Sequence, residues 1–378
     1  MKVTSIKGGI KCVVVLFVFL IIVGGQRAEA VEDISLYSET AILMDANTGE
    51  VLFDQNMEKK MYPASITKIV TAIIAIEEGQ LDEIVTVSQK ATEVIGTRVY
   101  LVQDEKVSLL KLIQGLLINS GNDAGTAIAE HMAGSESFFA KKMNRFMKEK
   151  IGVQNTHFTN PHGLYDEKHT TTAYDMAKIT QYAMKNETFR EIVGTKEMEW
   201  IGEEWETTIY NHNRLLWDYE GVTGVKNGFV RKSGYTLVTT AKRHDMELIA
   251  VTLNAPSADH AYNDMKALFE YGFDHYQTSV LFSNKVFEAD NGMKYELNED
   301  LYFVTAYDED ISITINRFGR LWIRGDNNRI IRSELLTPVE GRKHSLKETK
   351  VHEEQNTKDS STPVRWISEL WSLFLFSK

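Results

Sequence analysis

The sequence predicts an α+β fold in which an antiparallel sheet is flanked by helices, followed by a small all-β domain and an amphipathic C-terminal helix. Three observations carry this. From residue 31 to about 280, strand-like stretches stand at both ends with helix-like stretches between them, so one sheet has to join the two ends of that segment. Beyond 281 the texture changes to short alternating runs separated by Asn, Asp and Gly. After Pro363, apolar residues recur at helical spacing.

The first thirty residues read as an export signal. Lys2, Lys7 and Lys11 precede an apolar run from Val13 to Val23, and Ala28-Glu29-Ala30 supplies a small-x-small cleavage site. That run is too short for a span of about 20 residues. The single cysteine, Cys12, lies in this segment, so a chain cleaved after Ala30 has no thiol for catalysis, metal binding or a disulfide. Its formal charge is 38 minus 52, or −14, which argues against nucleic acid as a partner.

The domain of 31–280 opens with Thr40–Asp45, a turn at Asn47-Thr48-Gly49 and Val51–Phe53, a hairpin pattern. Helical apolar spacing follows in 65–78, 108–118, 122–132, 136–150 and 173–185. Strands return at Tyr235–Ala241 and Leu248–Leu253, and a helix over Ala258–Tyr276 closes the segment. In the small β domain, 281–342, Leu301–Val304 and Ile311–Ile315 are the clearest strands. The polar stretch 343–362 lacks aromatic residues and reads as a linker. In 363–378, Trp366, Ile367, Leu370, Trp371, Leu373 and Phe374 share one face, the pattern of a helix lying in a membrane interface. A terminal helix docked on the protein's own core has the same pattern.

Three short motifs carry chemistry. In Pro63-Ala64-Ser65-Ile66-Thr67-Lys68, at an expected helix start, serine and lysine share a face, so the amine reaches the hydroxyl. Burial beside Ile69, Val70, Ile73 and Ile74, together with the positive helix end, disfavours an ammonium and leaves Lys68 a neutral base. The Ser65 N–H is a natural oxyanion donor. Alone, the pattern equally fits an N-cap serine with a solvated lysine. Ser120-Gly121-Asn122 places a hydroxyl and an amide in a tight turn between two helices, to relay a proton and hold a carbonyl, or simply to cap a helix. Lys226-Asn227-Gly228-Phe229, ahead of a strand, joins a cation to a glycine that admits close backbone approach, and it also fits a basic hairpin turn.

In that order, Ser-x-x-Lys, Ser-x-Asn and Lys-x-Gly resemble the penicillin-interacting serine transferases, most closely the low-molecular-mass D-alanyl-D-alanine carboxypeptidases. Asn160-Pro161-His162-Gly163-Leu164 and Thr171-Thr172-Ala173-Tyr174-Asp175-Met176 look like further blocks of that family. The resemblance implies a β-lactamase/transpeptidase-like domain acting on the peptidoglycan stem peptide and on β-lactam antibiotics, at the outer face of the cytoplasmic membrane, with no cofactor. It implies Ser65 as nucleophile, Lys68 as its base, and Ser120 with Lys226 delivering a proton to the leaving amine. It gives Asn122 to the peptide side of the substrate, the Ser65 and Phe229 N–H groups to the oxyanion hole, and 227–228 to the substrate's carboxylate end. Two departures bear on that end: Asn227 stands where the family has threonine, and Asn254–His260 lacks the arginine some relatives carry.

The alternatives are narrower. His157, His162 and His169 do not have the spacing of helical zinc pairs, so no metal is expected, and His162 reads as a structural loop residue. Asp175 reads as a helix-start residue. A class A β-lactamase would carry a Glu-x-x-Leu-Asn loop, which is missing. A catalytically silent penicillin-binding module is the alternative that Asn227 leaves open.

Overall fold

Thr40–Asp45 and Met246–Ala255 are buried along almost their whole length, a pattern expected of strands covered on both faces. They pair antiparallel, Ile42 opposite Val251, at the centre of a five-stranded sheet in the computed structural model, which describes residues 34–339. The order is Val51–Gln55, Thr40–Asp45, Met246–Ala255, Gly234–Arg243 and Val222–Val230. The two ends of the segment therefore meet in one sheet, as the sequence pattern requires. The expected signal peptide, linker and C-terminal helix lie outside the described residues.

Alternation along these strands divides their side chains between two cores. Ile42, Met44, Ile249, Val251 and Leu253 join the main core with Ile69, Val70 and Ile73. Leu43 and Leu248 point the other way, toward the helix Ala258–His275, where a Cβ on Gly272 would lie within 2.7 Å of both. Only glycine lets that helix come so close to the sheet.

Lys68–Glu78 is apolar nearly all round, and its residues 68–75 are buried. It is the axial helix, packed among the helices Leu109–Leu117, Asn122–Ala133, Glu136–Phe146 and Ala173–Ala183. The elements between the strands that the sequence reading does not include are short ones, among them the helix Glu187–Gly194, capped by the Asn186 side chain on Phe189 N–H, and the hairpins Ile84–Thr86 with Lys106–Ser108 and Glu197–Ile201 with Glu206–Tyr210.

A second apolar core, which includes Leu281, Tyr295, Phe303, Leu321 and Ile323, belongs to the all-β region. Strand pairing there reaches back to Tyr276, because Tyr276–Leu281 pairs with Leu301–Ala306, ahead of the boundary expected at 281. Thr278 Oγ1 donates to Asp45 Oδ2 at 2.7 Å, tying this region to the central sheet.

Candidate active site

Pro63 and Ala64 force the first local decision. Ala64 takes a left-handed φ of 51°, and residues Ala64–Thr67 form a 3₁₀ turn before the α-helix starts at Lys68. Ser65 thus stands one turn ahead of the helix rather than at its start. In a 3₁₀ turn, residues three apart eclipse one another. Lys68 Nζ accordingly lies 2.9 Å from Ser65 Oγ.

The amine has two further neighbours, the Asn122 Oδ1 at 2.7 Å and the His162 carbonyl oxygen at 2.8 Å. Both accept only. A neutral amine gives its two hydrogens to these oxygens and keeps its lone pair for the Ser65 hydroxyl. The surroundings favour that form: Lys68 is completely buried, and its pKa is driven well below the ordinary lysine value, first by burial and then by the charge of Lys226, against the opposing pull of Asp123.

The nucleophile turn is held from several sides. The Thr159 N–H donates to His169 Nδ1 at 3.0 Å, so His169 carries its proton on Nε2 and donates to Thr67 Oγ1 at 2.8 Å. Thr67 Oγ1 in turn donates to the Ala64 carbonyl at 2.8 Å. Burial keeps His169 neutral, with a pKa lowered to about 3. Thr71 Oγ1 donates to the Pro161 carbonyl at 2.6 Å. Thr236 Oγ1, on the neighbouring strand, donates to the Pro63 carbonyl at 2.9 Å. Two glycines touch the turn directly: a Cβ on Gly163 would sit 1.9 Å from the Ala64 carbonyl oxygen, and one on Gly228 would sit 2.6 Å from the Ser65 nitrogen. None of these contacts was visible in the motifs.

Ser120 has a φ of 64° and is nearly buried in the turn before the helix Asn122–Ala133. Asn122 does more locally than the sequence suggests. Its amide accepts from Lys68 and donates one hydrogen from Nδ2 to the Ile95 carbonyl at 2.7 Å, which leaves its second N–H for the peptide side of a substrate. Asp123, in the first turn of that helix, accepts from the N–H groups of Val99 and Leu101 and pins the 97–101 loop; burial raises its pKa against those bonds.

Lys226 is buried on the edge strand, opposite Val238, and burial lowers its pKa to about 7. Its Nζ lies 3.1 Å from the Asn227 carbonyl and 3.3 Å from Asn227 Oδ1, which leaves the Asn227 NH₂ as a donor. Ser65, Ser120, Asn227, Gly228 and Phe229 line one cavity of about 470 Å³, together with Thr97, His212, Arg214, Thr236 and Tyr262. The sequence motifs converge there; Lys68, Asn122 and Lys226 stand behind that wall.

His162 and His169 are structural, as the loop reading of His162 anticipated: His162 contacts Glu136 at 3.2 Å and offers its carbonyl to Lys68. Asp175 accepts from Asn155 N–H and Thr156 Oγ1 at the start of its helix. No group of side chains suited to a metal occurs among the described residues.

Comparison with known proteins identifies the family. Residues 26–257 match the family model described as D-alanyl-D-alanine carboxypeptidase. The D-alanyl-D-alanine carboxypeptidase DacF of Bacillus subtilis is 33% identical over 264 residues, 68% of this chain and 67% of the relative. DacC of Escherichia coli is 35% identical over 275 residues, 69% of this chain and 68% of its own. The crystal structure of penicillin binding protein 5 from Haemophilus influenzae superposes with a TM-score of 0.70 at 27% identity, covering 81% of this chain and 97% of that one. A family match over most of the sheet-and-helix body, together with relatives at least 33% identical over two thirds of the chain, places the chain in the D-alanyl-D-alanine carboxypeptidase family of serine peptidases.

Proposed function

We propose that this protein removes the terminal D-alanine from peptidoglycan stem peptides through an acyl-enzyme on Ser65, and that penicillins acylate the same serine. One observation carries the reading: Lys68 Nζ sits 2.9 Å from Ser65 Oγ while two acceptor-only oxygens take its hydrogens. Lys68 accepts the Ser65 proton as Oγ attacks the carbonyl between the two D-alanines. The oxyanion is received by N–H groups of Ser65 and Phe229. Ser120, with Lys226 near its pKa at neutral pH, returns a proton to the departing amine, and D-alanine leaves. Water then hydrolyses the ester. Asn122 keeps Lys68 in place, and Asn227 and Gly228 face the carboxylate end of the substrate.

The amino-terminal apolar segment and the Trp-rich 363–378 segment support a further part of this reading: an exported enzyme held at the outer face of the cytoplasmic membrane through a helix in the interface. Truncation at Pro363 then releases soluble protein, and equal partitioning of the two forms counts against the anchor.

The test of the activity is labelling with a fluorescent penicillin, followed by an assay of D-alanine release from a pentapeptide ending in D-Ala-D-Ala. Wild type does both and Ser65→Ala does neither; covalent labelling that survives in Ser65→Ala removes the nucleophile assignment. Labelling without release favours the silent module that Asn227 keeps open.

A further inference from the structure

Resting on the carboxypeptidase reading, the structure assigns to Arg214 the task of receiving the substrate's terminal carboxylate, a specificity role that we infer from its place in the Ser65 cavity. The expected arginine is missing from Asn254–His260, and Asn227 offers only a neutral amide. Arg214 comes from a different segment, the loop Asn211-His212-Asn213-Arg214, and lines the same cavity as Ser65, Asn227 and Thr236.

Charge singles it out. Of the residues lining the cavity, only Arg214 carries a permanent positive charge. His212, its neighbour there, has a pKa lowered to about 4 by burial and by Lys226 and Lys68, so it is neutral at physiological pH. Lys226, behind the wall, is held near pH 7 and is already turned to Asn227.

The guanidinium is also supported and half exposed. Its carbon sits 4.2 Å from the centre of the Tyr262 ring, and the Tyr262 hydroxyl donates to the His212 carbonyl at 2.8 Å, so the ring that supports the cation is itself fixed. The Arg214 N–H donates to the same hydroxyl at 3.3 Å. The side chain makes one ion pair, Nη2 to Asp259 Oδ1 at 2.7 Å, and lies against Tyr262, so several of its five N–H donors are left for a ligand. Asp259 is 79% exposed, so it holds the guanidinium weakly and gives way readily to a carboxylate that arrives with less water around it.

The experiment compares a tripeptide ending in D-Ala-D-Ala with the same peptide bearing a C-terminal amide. Wild type prefers the acid. Arg214→Gln is expected to raise KM for the acid about ten- to a hundredfold, to change the amide far less, and so to erase the preference. Asp259→Asn, which frees the guanidinium, is expected to lower KM for the acid. An Arg214→Gln enzyme that melts like wild type yet keeps its full preference for the acid overturns the assignment, as does an Asp259→Asn enzyme whose KM for the acid rises. In either case the carboxypeptidase reading stands. If wild type neither binds penicillin covalently nor releases D-alanine, that reading fails, and the role of Arg214 with it.

Discussion

The two ends of the cavity are built differently. At the Ser65 end, Thr67, Lys68, His169 and Thr236 are each at most 2% exposed, and each polar atom used there has a named partner, often a backbone carbonyl. At the far end, the Arg214 side chain is 51% exposed, its Asp259 partner 79%, and Asn227 and Arg214 both line the cavity. The difference teaches where this molecule fixes geometry and where it tolerates change. A nucleophile and base have to be held within fractions of an ångström, and only tertiary contacts from several elements can do that. A carboxylate can be met by any donor of the right charge and reach, so residues at that end can be exchanged without disturbing the fold.

The harshest test of the fixed end is Gly163→Ala. Its Cβ would collide with the Ala64 carbonyl and press on the Ser65 nitrogen at 3.0 Å. The turn would have to move, and a displacement of about 1 Å costs on the order of 10²-fold in rate. The rate of penicillin acylation should fall by at least that. Gly152→Ala is the control, because Gly152 shares the positive φ, 83° against 88°, but a Cβ there meets nothing within 4 Å. Both variants lose about 1 kcal/mol of stability to backbone strain, and Gly163→Ala loses more through the collision, read from denaturant titration; only Gly163→Ala should lose acylation. Equal acylation rates in the two would mean the turn is not fixed as described.

Charge coupling gives the next effect. Lys68 is pushed down first by burial and second by Lys226. A lysine with a lowered pKa is active as a base above that pKa and loses activity as pH falls through it. Removing the Lys226 charge with Lys226→Gln lets Lys68 hold its proton more readily, so the acid limb of the acylation profile moves to higher pH. Burial is the larger cause, so the limb stays below the ordinary lysine range. In wild type the alkaline side should change near pH 7, where Lys226 loses its proton, and that feature disappears in the variant. An acid limb that stays in place in Lys226→Gln would show that the two amines do not sense each other.

The same division explains what the sequence made legible. Ser65 and Lys68 are three apart, and a local spacing fixes their contact whether the turn is 3₁₀ or α. The central strands announce themselves through apolar runs, and the long helices through their periodicity. His169 and Thr67 are separated by 102 positions, and Thr236 and Pro63 by 173. Such contacts exist only after the sheet has closed, and no pattern along the chain reports them. Arg214 escaped for the same reason: nothing in Asn213-Arg214-Leu215 distinguishes it from a surface arginine until Asn227 is placed across the cavity. The helix at 187–194 was legible in principle, since Asn186 followed by Glu187 is a capping signal, but its apolar face is short.

The smallest effect expected is at Asn227 itself. Threonine there exchanges one hydrogen-bond donor for another, shorter one, and frees Lys226 Nζ from the amide oxygen 3.3 Å away. The carboxylate is bound alike in the ground state and the transition state, so the change belongs in KM rather than in kcat. A difference of about 0.5–1 kcal/mol between the two donors corresponds to roughly two- to fivefold. Asn227→Thr is therefore expected to lower KM for a D-Ala-D-Ala peptide by that factor with kcat unchanged, and Asn227→Ala to raise it. A large change in kcat would place Asn227 among the groups that fix the reacting atoms, and the contrast between the two ends of the cavity would then dissolve, because the residue through which they touch would belong to both.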